Sequence, residues 1–250
     1  MGKVYENSPL IEALCEFQFE PAQTWDWTIP GLFYARVQDE FPDRQEHQTI
    51  QVGIGTEQPI APQMTHIAQM QFLRKDRSAL VQVGPNMLAI NHLAPYPTWE
   101  PFRDMIFRHL DLYLEIGKPK NISRLNLRYI NKLELPIPTG DEDLNIGDYM
   151  LAVPGVPADL LREPMGEFIQ RVVIPLSQMD AMLILQSGSL TFEREGYYTF
   201  LLDLSVVNTT PLSFQHVRAW VTKAHTEVES AFEACISDKA RKLFGEKNNG

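Results

Sequence analysis

The chain has few cysteines and no long apolar run, and each of these shortages excludes a class of protein. Only Cys15 and Cys235 occur among its 250 residues. They are far apart and lack CxxC spacing, so neither a disulfide scaffold nor a zinc finger is predicted. No apolar stretch approaches the roughly 20 residues that cross a bilayer, and MGKVYENSPL lacks the apolar core of a signal peptide. The sequence therefore predicts a soluble, cytoplasmic protein with no membrane partner.

Positive charge is also scarce. The chain has 22 basic and 32 acidic side chains, a net charge of -10, and the acidic excess is the same in residues 1–120 and 121–250. The densest basic cluster, RKDR at 74–77, is interrupted by an acid. Nucleic-acid binding through counterion release requires a clustered positive surface, so a nucleic-acid partner is disfavoured, although it is kept as an alternative.

Strong catalytic and metal-binding signatures are missing. The six histidines, at 47, 66, 92, 109, 216 and 225, show no HxH or HExxH spacing. The GIG at 53–55 lacks the GxGxxG continuation of a dinucleotide fold. QSGSL is not GxSxG, so Ser187 and Ser189 are expected in a hairpin turn rather than at a nucleophile. No catalytic residue, metal ligand or cofactor is predicted.

What the sequence does have is clear hydrophobic periodicity. In the first half, alternation over 10–20 predicts a strand with one wet face, and PGLFYARVQDEFP predicts a short amphipathic helix that Pro42 ends. Four strand-like segments follow, HQTIQVGIGT, MTHIAQMQFLRK, SALVQV and MLAINHL, and they indicate an antiparallel meander. A helix is predicted from Thr98 to about Gly117.

The second half repeats this order. A strand at 124–135 and a short helical stretch near Asn145 to Leu151 precede strands near 167–176, 181–187 and 197–207, and a long C-terminal helix begins near Ser213. The sequence thus predicts an α+β fold with two similar halves, 1–120 and 121–250. Each half has the order strand, helix, meander, helix, as expected for an internal duplication around antiparallel sheet.

Two stretches are candidate binding segments. In RLNLRYINKLELP, apolar and polar residues alternate, but Asn131 occupies the apolar register, so either a bulge intervenes or its amide points toward the core. Arg128, Tyr129 and Asn131 are the candidate binding residues of this strand. Trp25 and Trp27 flank an aspartate in a loop, where exposed rings would anchor a protein partner.

Charge also predicts how strands 10–20 and 124–136 pair. Glutamates at 12, 16 and 20 match cations at 132, 128 and 124 if antiparallel partners have numbers that sum to 144. The same register places Asn131 opposite Ala13. These strands are therefore predicted to join the two halves in one sheet, with Arg128 holding Glu16 rather than a ligand.

Three stretches, YENSPLIEALCEFQFEP, PGLFYARVQDEFP and RLNLRYINKLELP, resemble a family of uncharacterised prokaryotic proteins that is sporadically distributed among bacteria and archaea. FEACISDKARKLFG extends the resemblance to the C-terminal region. The resemblance implies no active-site residues, and the sporadic distribution suits an accessory gene in an antiviral defence or mobile-island system.

The preferred function is a non-enzymatic protein-interaction module, with a homo-oligomer compatible with the sequence. The alternatives are a hydrolase or nuclease whose active site is gathered from distant Glu, Asp and His residues, and a nucleic-acid-binding protein.

Overall fold

The computed structural model describes residues 3, 5–22, 24–53, 63–96, 98–137, 144–160, 167–190 and 195–245, without the side chains of 48–53, 63–67 and 158. The strands are β1 Leu10–Glu20, β2 Asp43–Gly53, β3 Gln63–Leu73, β4 Ala79–Gly84, β5 Met87–Leu93, β6 Asn121–Pro136, β7 Ile169–Leu176, β8 Ala181–Leu190 and β9 Tyr197–Asn208. The helices are α1 Ile29–Val37, α2 Trp99–Gly117, α3 Val217–Cys235 and α4 Asp238–Phe244. Three 3-10 turns lie at Ile146–Asp148, Ala158–Leu160 and Ser177–Met179.

The nine strands form one antiparallel sheet in the order β2-β3-β4-β5-β1-β6-β9-β8-β7. This confirms the predicted α+β class with antiparallel sheet. β1 and β6 are hydrogen-bonded neighbours at its centre, as the sequence predicts. The first half therefore lies on one side of this seam and the second half on the other, within a single sheet. None of the described helices is long and apolar enough to span a membrane.

Alternation along each strand decides which face holds the core. In β1, Ala13, Cys15 and Phe17 are fully buried, whereas the residues between them are partly exposed. The helices cover this buried face: Tyr113 of α2 stacks on Phe19 with ring centroids 4.6 Å apart. Because side chains alternate between faces with a period of two, the residues between these stay on the other side of the sheet.

The helices cover this face in both halves. Phe33 of α1 stacks on Phe72 of β3, and His225 of α3 accepts or donates a hydrogen bond with the Tyr129 hydroxyl of β6 at 2.9 Å. All of these strand residues belong to the buried rows. The core is therefore one layer between the sheet and α1, α2 and α3.

The predicted register of β1 on β6 is wrong by two residues. Partner numbers sum to 142 over most of the ladder, so Leu14, not Glu16, lies opposite Arg128. The predicted pairs of Glu12 with Lys132, Glu16 with Arg128 and Glu20 with Arg124 are therefore not the cross-strand partners. A shift of two residues keeps every side chain on its own face, so apolar alternation does not distinguish the two registers.

Asn131 occupies the buried row of β6, which means that the amide does point toward the core. Its cross-strand partner is Leu10 rather than Ala13, because the ladder shifts by one residue between Leu10 and Glu12. The amide nitrogen donates to the Leu202 carbonyl at 3.1 Å. A backbone acceptor on the neighbouring strand thus satisfies the buried amide, as a buried polar group requires.

Ser187 and Ser189 lie inside β8, not in a hairpin turn as the sequence predicts. Ser187 is buried and donates to the Ala152 carbonyl at 2.7 Å. A side chain at Gly188, between them, would clash with the backbone, because a Cβ there would lie 2.9 Å from the Phe168 carbonyl oxygen. Close approach of the backbone before β7, rather than a turn, explains this small-residue stretch.

Candidate interaction surface

The sheet face opposite α1, α2 and α3 carries a row of hydrogen-bonded polar side chains, and we call this face the open face. It includes the even-numbered residues from Glu12 to Gln18 in β1 and from Arg124 to Glu134 in β6, and the residues paired with them. The row crosses eight of the nine strands, and we call it the polar band: Gln45, Gln71, Gln82, Asn91, Glu12, Arg128, Asp203 and Gln186.

The first part of the polar band is a head-to-tail chain of amides. Gln45 donates to Gln71 at 2.8 Å, Gln71 to Gln82 at 2.9 Å, and Gln82 to Asn91 at 3.0 Å. Asn91 then donates to the Glu12 carboxylate. Every amide in this chain donates in the same direction, so the bonds polarise one another toward the carboxylate. These hydrogen bonds fix the orientation of the side chains, of which Gln71 and Asn91 are buried and Gln45 is exposed.

The second part of the polar band is an arginine–aspartate pair. Arg128 Nε lies 2.8 Å from Asp203 Oδ1, and a terminal nitrogen lies 2.6 Å from Oδ2. Gln186 also donates to Asp203, at 3.2 Å. The Asp203 side chain is 3% exposed, whereas that of Arg128 is 36% exposed. Arg128 thus compensates a buried charge and still presents part of its guanidinium to the open face.

Charge around Arg128 keeps it ionised. The hydrogen bond to Asp203 raises the pKa of Arg128, and the nearby carboxylates of Glu12 and Glu16 raise this pKa further. Three carboxylates therefore surround one cation at the centre of the sheet. The immediate surroundings of Arg128 are therefore acidic, whereas Arg124 and Lys132 add positive charge farther along the same row of β6.

Among the buried oxygens of the open face, Asn126 Oδ1 on β6 and Thr199 Oγ1 on β9 have no hydrogen-bond partner in the described part of the chain. Leaving such an oxygen unsatisfied costs about 1–3 kcal/mol. Both atoms are enclosed by the protein, so a partner would reach them only after local rearrangement.

Tyr129 lies on the opposite face, so the structure separates it from Arg128. Its hydroxyl bonds His225 Nδ1 at 2.9 Å and lies 3.4 Å from the Tyr96 hydroxyl. The Trp99 ring stacks on His225 with centroids 3.9 Å apart. Burial raises the pKa of Tyr129 and lowers that of His225 to about 4, so both are neutral at pH 7.

This cluster suits packing better than catalysis. Glu229 Oε1 lies 3.4 Å from His225 Nε2, and burial raises the pKa of Glu229. A tyrosine, a histidine and a carboxylate in sequence can pass a proton, but Tyr129 is 6% exposed and Trp99 covers the imidazole. The Tyr129 hydroxyl and the imidazole are thus covered, and only the Glu229 carboxylate of this described cluster is substantially exposed. The arrangement therefore satisfies polar groups between β6 and α3.

The tryptophan loop is a separate feature before α1. Trp27 is 64% exposed, whereas Trp25 is partly buried and packs against the core. Their rings meet edge to face, with centroids 6.1 Å apart. Of the two predicted anchors, Trp27 has the exposure that an anchor needs, and Trp25 packs between the Trp27 ring and the core.

Replacing each tryptophan separately should distinguish these roles. Trp25→Ala should lower the free energy of unfolding by about 2 kcal/mol, because it removes a ring that packs on the core. Trp27→Ala should change it by less than about 0.5 kcal/mol. Urea unfolding of both variants measures this difference, and an equal loss in the two variants would show that the Trp27 ring is also part of the core packing.

A charged groove of about 770 Å³ lies among α1, α2 and α3. Its arginines are already bound to its acids: Arg36 to Glu115 at 3.1 Å and Arg218 to Asp111 at 2.7 Å. Exposed pairs of this kind contribute about 0.2–1 kcal/mol each. Within the described residues, no three His, Cys, Asp or Glu side chains are grouped as a metal site.

Sequence reasoning finds Arg128 but misses the rest of the polar band. Gln82 and Asn91 are single amides inside otherwise apolar strands, ALVQVG and MLAINHL. A single amide within an apolar strand can be recognised from the sequence of that strand alone. Their alignment across the sheet depends on strand order, which the residues of one strand do not contain.

A scan against models of known protein families finds no match. A search of curated proteins also finds no relative.

Proposed function

We propose that this chain is a cytosolic, non-enzymatic protein-interaction module and that a partner protein binds the open face. The polar band is the observation that carries the proposal. Its side chains are already held in place by one another, and Gln45, Glu12 and Arg128 among them are at least partly exposed, so binding would cost little side-chain entropy. Two free thiols, Cys15 and Cys235, are consistent with a reducing compartment.

Charge favours a protein as the partner. Glu12, Glu16 and Asp203 outnumber Arg128 at the centre of the open face. Lysine, arginine and amide side chains of a protein complement this local pattern better than a phosphate backbone does. A place in a prokaryotic defence or mobile-island system rests on the sequence resemblance alone.

We also infer that the two halves arose by duplication. From the central seam outward, β1, β5, β4 and β3 on one side correspond to β6, β9, β8 and β7 on the other. α2 follows β5, and α3 follows β9, in equivalent positions of the chain. On this view the open face is a pseudo-symmetric surface, with the polar band crossing its axis between Glu12 and Arg128.

A lysine at the centre of the open face tests the proposal. Leu14 lies on this face, paired with Arg128 on one side and Asn91 on the other, and is partly exposed. Leu14→Lys should reduce binding of the native partner at least about tenfold, because an added amine would need desolvation in the interface. Affinity capture from the source cells followed by titration of the captured protein measures this change.

Leu32→Lys is the matched control. Leu32 is a 55% exposed leucine on α1, on the other side of the molecule. This variant should bind the partner as the wild type does, and both variants should keep the wild-type melting temperature within a few degrees. Equal binding by Leu14→Lys and wild type would contradict the open face as the binding surface.

A further inference from the structure

The two edges of the sheet differ in a way that points to self-association. The β2 edge begins with Asp43, Arg44 and Glu46, and charges of this kind protect an edge strand from pairing. β7, at the other edge, has the sequence IQRVVIPL with a single charge. Ile169 is 90% exposed, and Val172, Val173 and Ile174 are each 42% exposed. β7 is therefore an apolar strand without the usual protection.

The backbone of β7 shows which groups are available. The Ser189 N–H donates to the Phe168 carbonyl at 3.0 Å, so residue 168 directs its backbone toward β8. The backbone N–H and C=O groups of successive residues in an antiparallel strand point to opposite neighbouring strands. The backbone groups of even-numbered β7 residues therefore point toward β8, and those of odd-numbered residues point away from the sheet. Pro175, which has no N–H, falls in the outward set, as expected for proline in an edge strand.

Ile169, Arg171 and Val173 thus direct their N–H groups away from the sheet. In the part of the chain that the structure describes, these groups make no backbone hydrogen bond outside β7 and β8. A free row of donors and acceptors beside exposed aliphatic side chains is complementary to another extended strand with the same properties.

We propose that β7 pairs antiparallel with β7 of a second copy of this chain, about a two-fold axis at Val172. This register places Arg171 opposite Val173 of the other copy and Ile169 opposite Pro175 of the other copy. All three outward N–H groups of each copy then have a carbonyl acceptor. Pro175 has no N–H to donate, but its carbonyl oxygen still accepts a hydrogen bond from the Ile169 N–H of the other copy.

Neighbouring registers are less favourable. An axis at Arg171 sets two arginines directly opposite each other, and like charges at that position are destabilising. An axis at Val173 pairs Arg171 with Pro175 and leaves the Ile169 N–H without a partner in the strand. The Val172 register avoids both costs, so β7 is complementary to itself in one particular alignment.

The pairing would also cover the exposed aliphatic side chains. Val172 meets its own copy on the helix-covered side, and Ile174 lies opposite Gln170 there. Val173 and Ile169 are covered on the open-face side. Two nine-stranded sheets would become one continuous sheet with its two β2 edges outermost. This arrangement closes after two copies, because the protected β2 edge does not pair further.

Removing one outward N–H tests the inference. Val173→Pro should leave the monomer folded, since that N–H faces away from β8, and should raise the dimer dissociation constant at least about tenfold through two lost hydrogen bonds per dimer. Analytical ultracentrifugation of the full chain up to about 100 µM detects dimers whose dissociation constants lie in the micromolar range. Wild type should sediment at twice the 28.6 kDa of one chain. A wild-type monomer at every concentration would overturn the proposal.

A cysteine pair gives a second measurement that does not depend on Val173→Pro folding. Val172→Cys should form an intermolecular disulfide under mild oxidation, because the axis brings residue 172 opposite itself at a distance that a disulfide spans. Ile174→Cys, at the same 42% exposure, is the matched control and should not cross-link. The native thiols are buried and do not compete. Equal cross-linking of both variants, or a dimer that survives Val173→Pro, would show a different interface and refute the β7 pairing.

Discussion

Replacing Arg128 with methionine should lower the free energy of unfolding by about 3 kcal/mol. The substitution leaves the Asp203 carboxylate, which is 3% exposed, without its cation. Breaking a buried pair by removing one partner costs about 3–5 kcal/mol, and the low end applies because Arg128 is partly exposed and Gln186 still donates to Asp203. Urea unfolding at pH 7 measures the loss.

Two further variants separate this effect from loss of side-chain packing. Arg124→Met changes an exposed arginine of the same strand and face, and it should alter stability by less than about 0.5 kcal/mol. The double variant Arg128→Met with Asp203→Leu should recover most of the stability, since no uncompensated charge remains. If the double variant is as unstable as Arg128→Met alone, the loss comes from packing of the arginine and not from Asp203.

Lowering the pH from 7 to 5 should destabilise the fold through His109 and His225. Burial lowers the pKa of each to about 4 from an ordinary 6.5. The unfolded chain takes up these protons as the pH falls through 6.5, whereas the folded chain resists them until about pH 4. Stability is therefore complete above pH 6.5 and decreases between pH 6.5 and 4. His109, which is 2% exposed, should contribute about 2 kcal/mol of loss by pH 5.

His109→Leu isolates the contribution of one histidine. His109 lies between Phe33 and Phe41, its Nδ1 bonds the Met105 carbonyl at 2.7 Å, and Arg108, Arg74 and Glu40 are the charges around it. Leucine removes the titrating group but keeps an apolar side chain on α2. Unfolding free energies at pH 7 and pH 5 should then differ by about 2 kcal/mol less than in the wild type. An unchanged pH dependence would show that His109 does not control it.

Much of the fold could be predicted from local sequence. Alternation gave the strands and their buried rows, and helical spacing gave α2 and α3, because both signals lie within one segment. The pairing of β1 with β6 is predicted from complementary charge, and the two strands do pair, but the charged residues behind the prediction are not cross-strand partners. The turn predicted at Ser187 and Ser189 is wrong because the small residues that favour turns also permit the close backbone approach seen at Gly188.

Alternation within one segment is enough to place Arg128 in the polar row of a strand and Tyr129 in its apolar row. The pairing of Arg128 with Asp203, 75 residues away, rather than with Glu16 depends on the assembled sheet. Exposed ion pairs of about 0.2–1 kcal/mol each are too weak to fix the register of β1 on β6, whereas the buried Asp203 carboxylate on β9 needs a cation beside it. The polar band and the unprotected β7 edge depend on strand order, which arises when distant segments share one core and which no single segment encodes.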